Sequence, residues 1–146
     1  MGWSMKLARK VASFRRLSWA DRLLIVEAAL MLGMARVCVV TVPFRMLAKW
    51  LARAPDRPTT DVAQVLRVGR AVATAARHVP WNAVCLPQAM AAKAMLARRG
   101  QGSAFHLGAM IEADGKLSAH AWLECDGRIV TGAAGMRGMS HLVRFG

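Results

Sequence analysis

Acidic residues are scarce in this chain: eight Asp and Glu stand against 21 Lys and Arg, a net charge of +13. The imbalance is uneven. Residues 1–100 hold 17 basic and 4 acidic side chains, a net of +13, whereas residues 101–146 hold 4 of each, a net of zero. Such a field favours an acidic peptide, nucleic acid or an anionic membrane surface, without choosing among them. Cysteine is scarce too. Cys38, Cys85 and Cys125 are odd in number with no close pair, which argues against a disulfide framework and for a reducing compartment such as the cytoplasm. There is no zinc-finger spacing and no aromatic-rich RNA-binding signature, so nucleic acid is not an expected partner. Cys85, His120 and Cys125 lack a short-spaced ligand pair, so neither a metal nor another cofactor is expected. A charge-free apolar run of about 20 residues, as a spanning helix needs, is also missing. Residues 23–44 are mostly apolar, but Glu27 and Arg36 interrupt them, and a central charge costs about 2.5–3.5 kcal/mol on insertion. A buried helix pair is the expectation there. Residues 1–16 are basic, yet no small-residue cleavage site follows, so no signal peptide is read.

What remains is a folding chain: 146 residues, 55% hydrophobic and 20% charged, the size of one domain. Ser18 followed by Asp21 marks a helix start, and Leu23, Leu24, Ala28, Met31, Leu32 and Ala35 continue it as a helical stripe. Val37 to Val42 extends this helix, and Pro43 kinks or ends it. Residues 54–60 form a proline-rich loop, after which Thr60 caps a helix that stops before Pro80. A further helix runs from about Cys85 to Arg99, with Pro87 tolerated in its first turn and Gly100 ending it. Then the period changes. Three short apolar segments, 104–111, 117–124 and 128–131, are separated by Asp114-Gly115 and Asp126-Gly127, a strong hairpin signal. The reading is α+β: a helical N-terminal region, 1–58, then a core, 59–146, in which a cysteine-bearing helix packs on a three-stranded antiparallel meander.

Two-residue turns would fix the register. Ala109 then falls opposite His120 on one side and Ala133 on the other. One face collects Phe105, Leu107, Ala109, Ile111, His120, Trp122, Ile129 and Thr131. This face should pack on the helices, with His106 on the other. Cys85 sits at a helix start, where unsatisfied N–H groups and the positive dipole end favour a thiolate and can receive an oxyanion. A thiol there and an imidazole on an inward strand form the pair that a cysteine nucleophile needs. Cys38 reads as packing, Cys125 adjoins a turn with no base beside it, and Met31, Met34, Met46, Met90 and Met95 read as core filler.

Trp81-x-x-x-Cys85-Leu86, then Ala89, Leu96 and Arg99-Gly100, then His120-Ala121-Trp122-Leu123-Glu124 and Asp126-Gly127-Arg128 resemble the lasso-peptide leader peptidases. These are transglutaminase-like cysteine proteases of bacterial lasso-peptide biosynthesis. Leu23, Leu24, Glu27, Ala28 and Pro43-Phe44-Arg45 extend the resemblance to most of the chain. It implies a transglutaminase-like or papain-like core and removal of a leader peptide from a ribosomally made precursor. Cys85 would be the nucleophile and His120 the base. A separate leader-recognition protein and an ATP-dependent lasso cyclase would be the partners. The family's third residue is an Asp about a dozen positions after the His, but residues 129–134 hold no carboxylate. Asp126 is too far along the strand, which leaves the Thr131 hydroxyl or a backbone carbonyl to orient His120. That departure keeps a second reading open, a catalytically weak scaffold joining precursor, recognition protein and cyclase. A third is a basic protein attached peripherally to a membrane through residues 1–50.

Overall fold

The computed structural model describes residues 2–52, 58–81, 83–133 and 140–145. Five helices come first: α1 (Gly2–Arg15), α2 (Trp19–Thr41), α3 (Phe44–Ala52), α4 (Val62–Ala76) and α5 (Cys85–Arg98). Four strands follow: β1 (Ala104–Ile111), β2 (Leu117–Cys125), β3 (Arg128–Thr131) and β4 (Ser140–Phe145). They form one antiparallel sheet in the order β3-β2-β1-β4. The fold is α+β, and the fourth strand adds to the expected meander on the free edge of β1.

The Ser18 side chain accepts from the Asp21 N–H to start α2, and the helix ends ahead of Pro43, which has no N–H to continue it. The expected buried helix pair is instead one long helix with two unlike faces. Ala28, Leu32 and Ala35 are buried, and α2 packs on α4 and α5. Leu23, Leu30 and Val37 on the opposite side are open to solvent. Glu27 clamps the inner side to the end of α5, 2.6 Å from Arg99 and 3.1 Å from Arg98. The Arg99 hydrogen bond holds the Glu27 carboxyl below its ordinary range.

Asp61, not Thr60, caps α4, accepting from the Gln64 N–H at 2.9 Å. Thr60 is engaged elsewhere. The buried Gln101 side chain, just after α5, takes the Thr60 and Asp61 N–H groups at 2.9 and 3.2 Å and donates to Thr60 Oγ1. The core lies between the helices and one face of the sheet. Met90, Met95 and Leu96 of α5 meet Phe105 of β1 and Ala121, Leu123 and Cys125 of β2. Met90 and Met95 are core filler as expected, but Met34 and Met46 are exposed.

The register differs from expectation at both hairpins. Between β1 and β2 the loop is Ala113-Asp114-Gly115, closed by the Glu112 N–H donating to Lys116 O at 2.8 Å. Asp114 Oδ1 accepts from the Lys116 N–H, and Gly115 takes φ +83°. Three residues in place of two shift the pairing by one, so Gly108, not Ala109, stands opposite His120. The β2–β3 turn is the two-residue form, with Asp126 at φ +49° and Gly127 at φ +73°. Its pairing begins as expected, Cys125 with Arg128 and Glu124 with Ile129, but a bulge at Val130 then sets Thr131 opposite Leu123.

Candidate active site

Cys85 is the first residue of α5, half-buried and packed against the core. Val84 is the N-cap in an extended conformation, with no side-chain cap, and its carbonyl accepts from the Gln88 N–H. The Gln88 side chain donates back to Ala83 O at 2.6 Å, tying the approach loop to the first turn. Upstream, the Trp81 ring lies over Gly33 of α2, where an added Cβ would stand 3.3 Å from the indole. Pro87 has no N–H, so Cys85 and Leu86 supply the donors that point out of this helix end.

His120 lies on β2, which α5 packs against. In the observed register Ala121, Leu123 and Cys125 face the helices, and His120, Trp122 and Glu124 alternate with them on the other face. The one-residue shift therefore overturns the expected placement. His120 does not share the helix-packed face, and His106, paired across from Trp122, shares the face of His120. Trp122 stands between the two imidazoles, stacked on His106 at 5.3 Å and on His120 at 6.4 Å between ring centroids. Glu124 Oε2 is 3.3 Å from His106 Nε2.

The partner of His120 is Gly132. Its carbonyl oxygen lies 2.7 Å from His120 Nε2. Since a carbonyl only accepts, Nε2 carries a proton, and in the neutral ring this leaves the lone pair on Nδ1. Gly132 takes φ +83°, and a Cβ there would fall 2.6 Å from Ala121 O and 3.1 Å from His120 Nε2. A side chain does not fit. Thr131 is not the acceptor. It stands opposite Leu123, and its buried hydroxyl has no hydrogen-bond partner among the described residues. Ala133 is exposed beyond the end of the pairing, and Asp126 stays out at the turn. None of the described hydrogen bonds joins Cys85 to His120.

Sequence reasoning missed two glycines that build this site. Gly69 in the middle of α4 brings that helix against the β3 bulge: an added Cβ would be 2.9 Å from Val130 O. That bulge is what carries Gly132 to His120. A glycine inside a helix, about 1 kcal/mol worse than alanine, was the available signal. Lys93 of α5 was also passed over. It is 2% exposed, donates to Ser103 O at 3.0 Å, and burial lowers its pKa to about 8. Burial likewise raises the neighbouring Cys125 thiol to about 11, which suits packing and not nucleophilic attack.

Among the described residues no cluster of His, Cys, Asp and Glu is arranged to hold a metal ion. No curated protein and no solved structure matches the chain. A family model does: the transglutaminase-like superfamily, over residues 28–144, from the middle of α2 through the Cys85 helix and all four strands. With a helix-opening cysteine, a strand histidine held by a main-chain acceptor and a match over most of its length, the chain belongs to the transglutaminase-like superfamily.

Proposed function

We propose that the protein is a cysteine peptidase that removes the leader from a ribosomally made lasso-peptide precursor, with Cys85 as nucleophile and His120 as base. The observation that carries this reading is the 2.7 Å contact from His120 Nε2 to Gly132 O. It holds the imidazole in the tautomer whose Nδ1 is free to take a thiol proton, the task that a carboxylate performs in a catalytic triad.

Cys85 Sγ gives its proton to His120 Nδ1 and attacks the scissile carbonyl carbon. The N–H groups at the start of α5 receive the resulting oxyanion. When the tetrahedral intermediate collapses, the C–N bond breaks, and His120 returns the proton to the leaving amine. A thioester to Cys85 remains. Water, deprotonated by His120, then hydrolyses it to release the leader carboxylate and the free thiol. The core peptide leaves with a free amine for a separate cyclase. None of the described hydrogen bonds joins Cys85 to His120, so this reading requires substrate binding to bring the two side chains together. The basic half of the chain suits an acidic leader or an acidic face on a separate recognition protein.

The test is cleavage of synthetic precursor by the full chain, with and without a leader-binding protein, followed by mass spectrometry. Cys85→Ala and His120→Ala should abolish cleavage, and Cys38→Ala should keep it. Cleavage that survives Cys85→Ala would end the peptidase reading. A second reading, a scaffold joining precursor, recognition protein and cyclase, is favoured by the placement of His120 on the face away from α5. It predicts precursor binding without cleavage by the unaltered chain.

A further inference from the structure

The outward face of α2 carries an unbroken apolar stripe. Trp19, Leu23, Val26, Leu30, Val37 and Val40 recur at spacings of three, four or seven residues, and their exposures run from 49% to 75%. Phe44 and Trp50 of α3 add exposed aromatic rings, 51% and 44% open. The helices that precede and follow α2 carry exposed cations and no acids. Lys6, Arg9, Lys10 and Arg15 are exposed on α1 and Arg16 just after it, as are Arg36 on α2 and Arg45 and Lys49 on α3. The acids of these three helices are Asp21 and Glu27, and each is paired with an arginine of another helix or its end, Asp21 with Arg67 at the surface of α4 and Glu27 with Arg99 after α5. Arg22 joins α1 to α2, donating to the carbonyls of Phe14 and Leu17 at 3.1 Å.

We propose that this face of α2, with the cations of α1 and α3 beside it, docks on an anionic lipid bilayer. The apolar stripe would enter the acyl boundary while the flanking Lys and Arg side chains meet lipid phosphates. Exposed tryptophans belong at that depth. The surface lies on the bilayer and does not span it. Although α2 is long and apolar enough to cross, its inner face is sealed against α4 and α5, with Ala28 and Leu32 at 0% exposure. Charge also separates lipid from other occupants. A nucleic-acid backbone gains nothing from the six large apolar side chains of this stripe. A second copy would set one +13 chain against another. A helical protein partner is normally matched by flanks of both signs, and these flanks are cationic alone. This proposal stands apart from the peptidase reading.

The experiment is co-sedimentation of the full chain with phosphatidylcholine vesicles, with and without phosphatidylglycerol. The expected result is binding to the anionic vesicles that weakens in high salt and is released by an alkaline carbonate wash. The triple variant Lys6→Gln, Arg9→Gln, Lys10→Gln should bind about fivefold more weakly for each cation removed. Leu23→Gln with Leu30→Gln, which leaves the charge unchanged, should lose about tenfold or more, with an unchanged circular dichroism spectrum because both residues are already in solvent. No binding to anionic vesicles overturns the proposal, and so does retention after the carbonate wash, which would make α2 a span. Undiminished binding by the Leu→Gln pair also overturns it, since attraction would then be charge alone. A solution dimer that the same pair dissolves, with no vesicle binding, would assign the face to a second copy.

Discussion

His120 Nε2 and the carbonyl oxygen of Gly132, twelve residues apart, are 2.7 Å from each other. The contact stands where the family's carboxylate is expected and fixes the same tautomer, but it brings no full negative charge to steady an imidazolium. Gly132→Ala should push this carbonyl away, because the new Cβ meets Ala121 O at 2.6 Å on a backbone at φ +83°. Precursor turnover should fall by about 10²-fold or more, the scale of a lost general base. Ala133→Asp, one residue further on and exposed, should not raise the rate. Turnover assays on the two variants check both statements.

Thr131→Val removes a buried hydroxyl that has no partner among the described residues. Turnover should be unchanged, since Thr131 lies across from Leu123 and not beside His120. Stability should rise by about 1 kcal/mol, or about 3 °C in Tm for a chain of this size. Slower turnover at unchanged Tm would mean that the hydroxyl, and not the carbonyl, orients the imidazole.

Gly69→Ala tests the route from α4 to the site. By helix propensity alone the change should stabilise by up to about 1 kcal/mol. The added methyl instead meets Val130 O at 2.9 Å and Val130 Cγ1 at 3.1 Å. The β3 bulge must shift, and Gly132 with it. Both Tm and turnover should fall, read by calorimetry and by precursor cleavage. A rise in Tm with full activity would show that the bulge yields without moving His120.

Lys93 makes stability depend on pH. Its folded pKa, about 8, lies below the ordinary value of 10.5, because burial disfavours the charged form. Between those two values the unfolded chain binds more protons, so this group's contribution to stability rises with pH from about 8 to 10.5. Lys93→Met should therefore stabilise the protein most below pH 8, with the advantage shrinking toward pH 10.5. Urea unfolding of both proteins across that range measures it. The raised Cys125 pKa works the other way, above about pH 9, but is common to both proteins.

Much of the fold was legible because its signals are local. Ser18, Pro43, Pro87 and Gly100 mark helix ends by chemistry that needs no tertiary context, and Cys85 falls at the start of α5 where Pro87 and Gln88 place it. The face of His120 was not legible. The dipeptide Asp-Gly occurs twice, at 114–115 and 126–127, and the structure uses it in two turn types. At Asp126-Gly127 both residues take positive φ in a two-residue turn, whereas at Asp114-Gly115 only the glycine does, in a loop of three. One residue of difference turns every side chain of β2 relative to β1. The Val130 bulge is likewise set by α4 pressing through Gly69, a contact across the fold that no window along the chain contains.

The clasp between Gln101 and the start of α4 has a consequence in time. The approach to α4, through the N–H groups of Thr60 and its cap Asp61, is held by an amide 40 residues beyond Asp61, on the far side of α5. Such a contact forms only after the intervening chain has closed its loop, so it belongs late on the folding path. Removing it with Gln101→Ala should hardly slow folding and should mainly quicken unfolding. The clasp acts less as a nucleus than as a latch, lengthening the life of a fold that has already been reached.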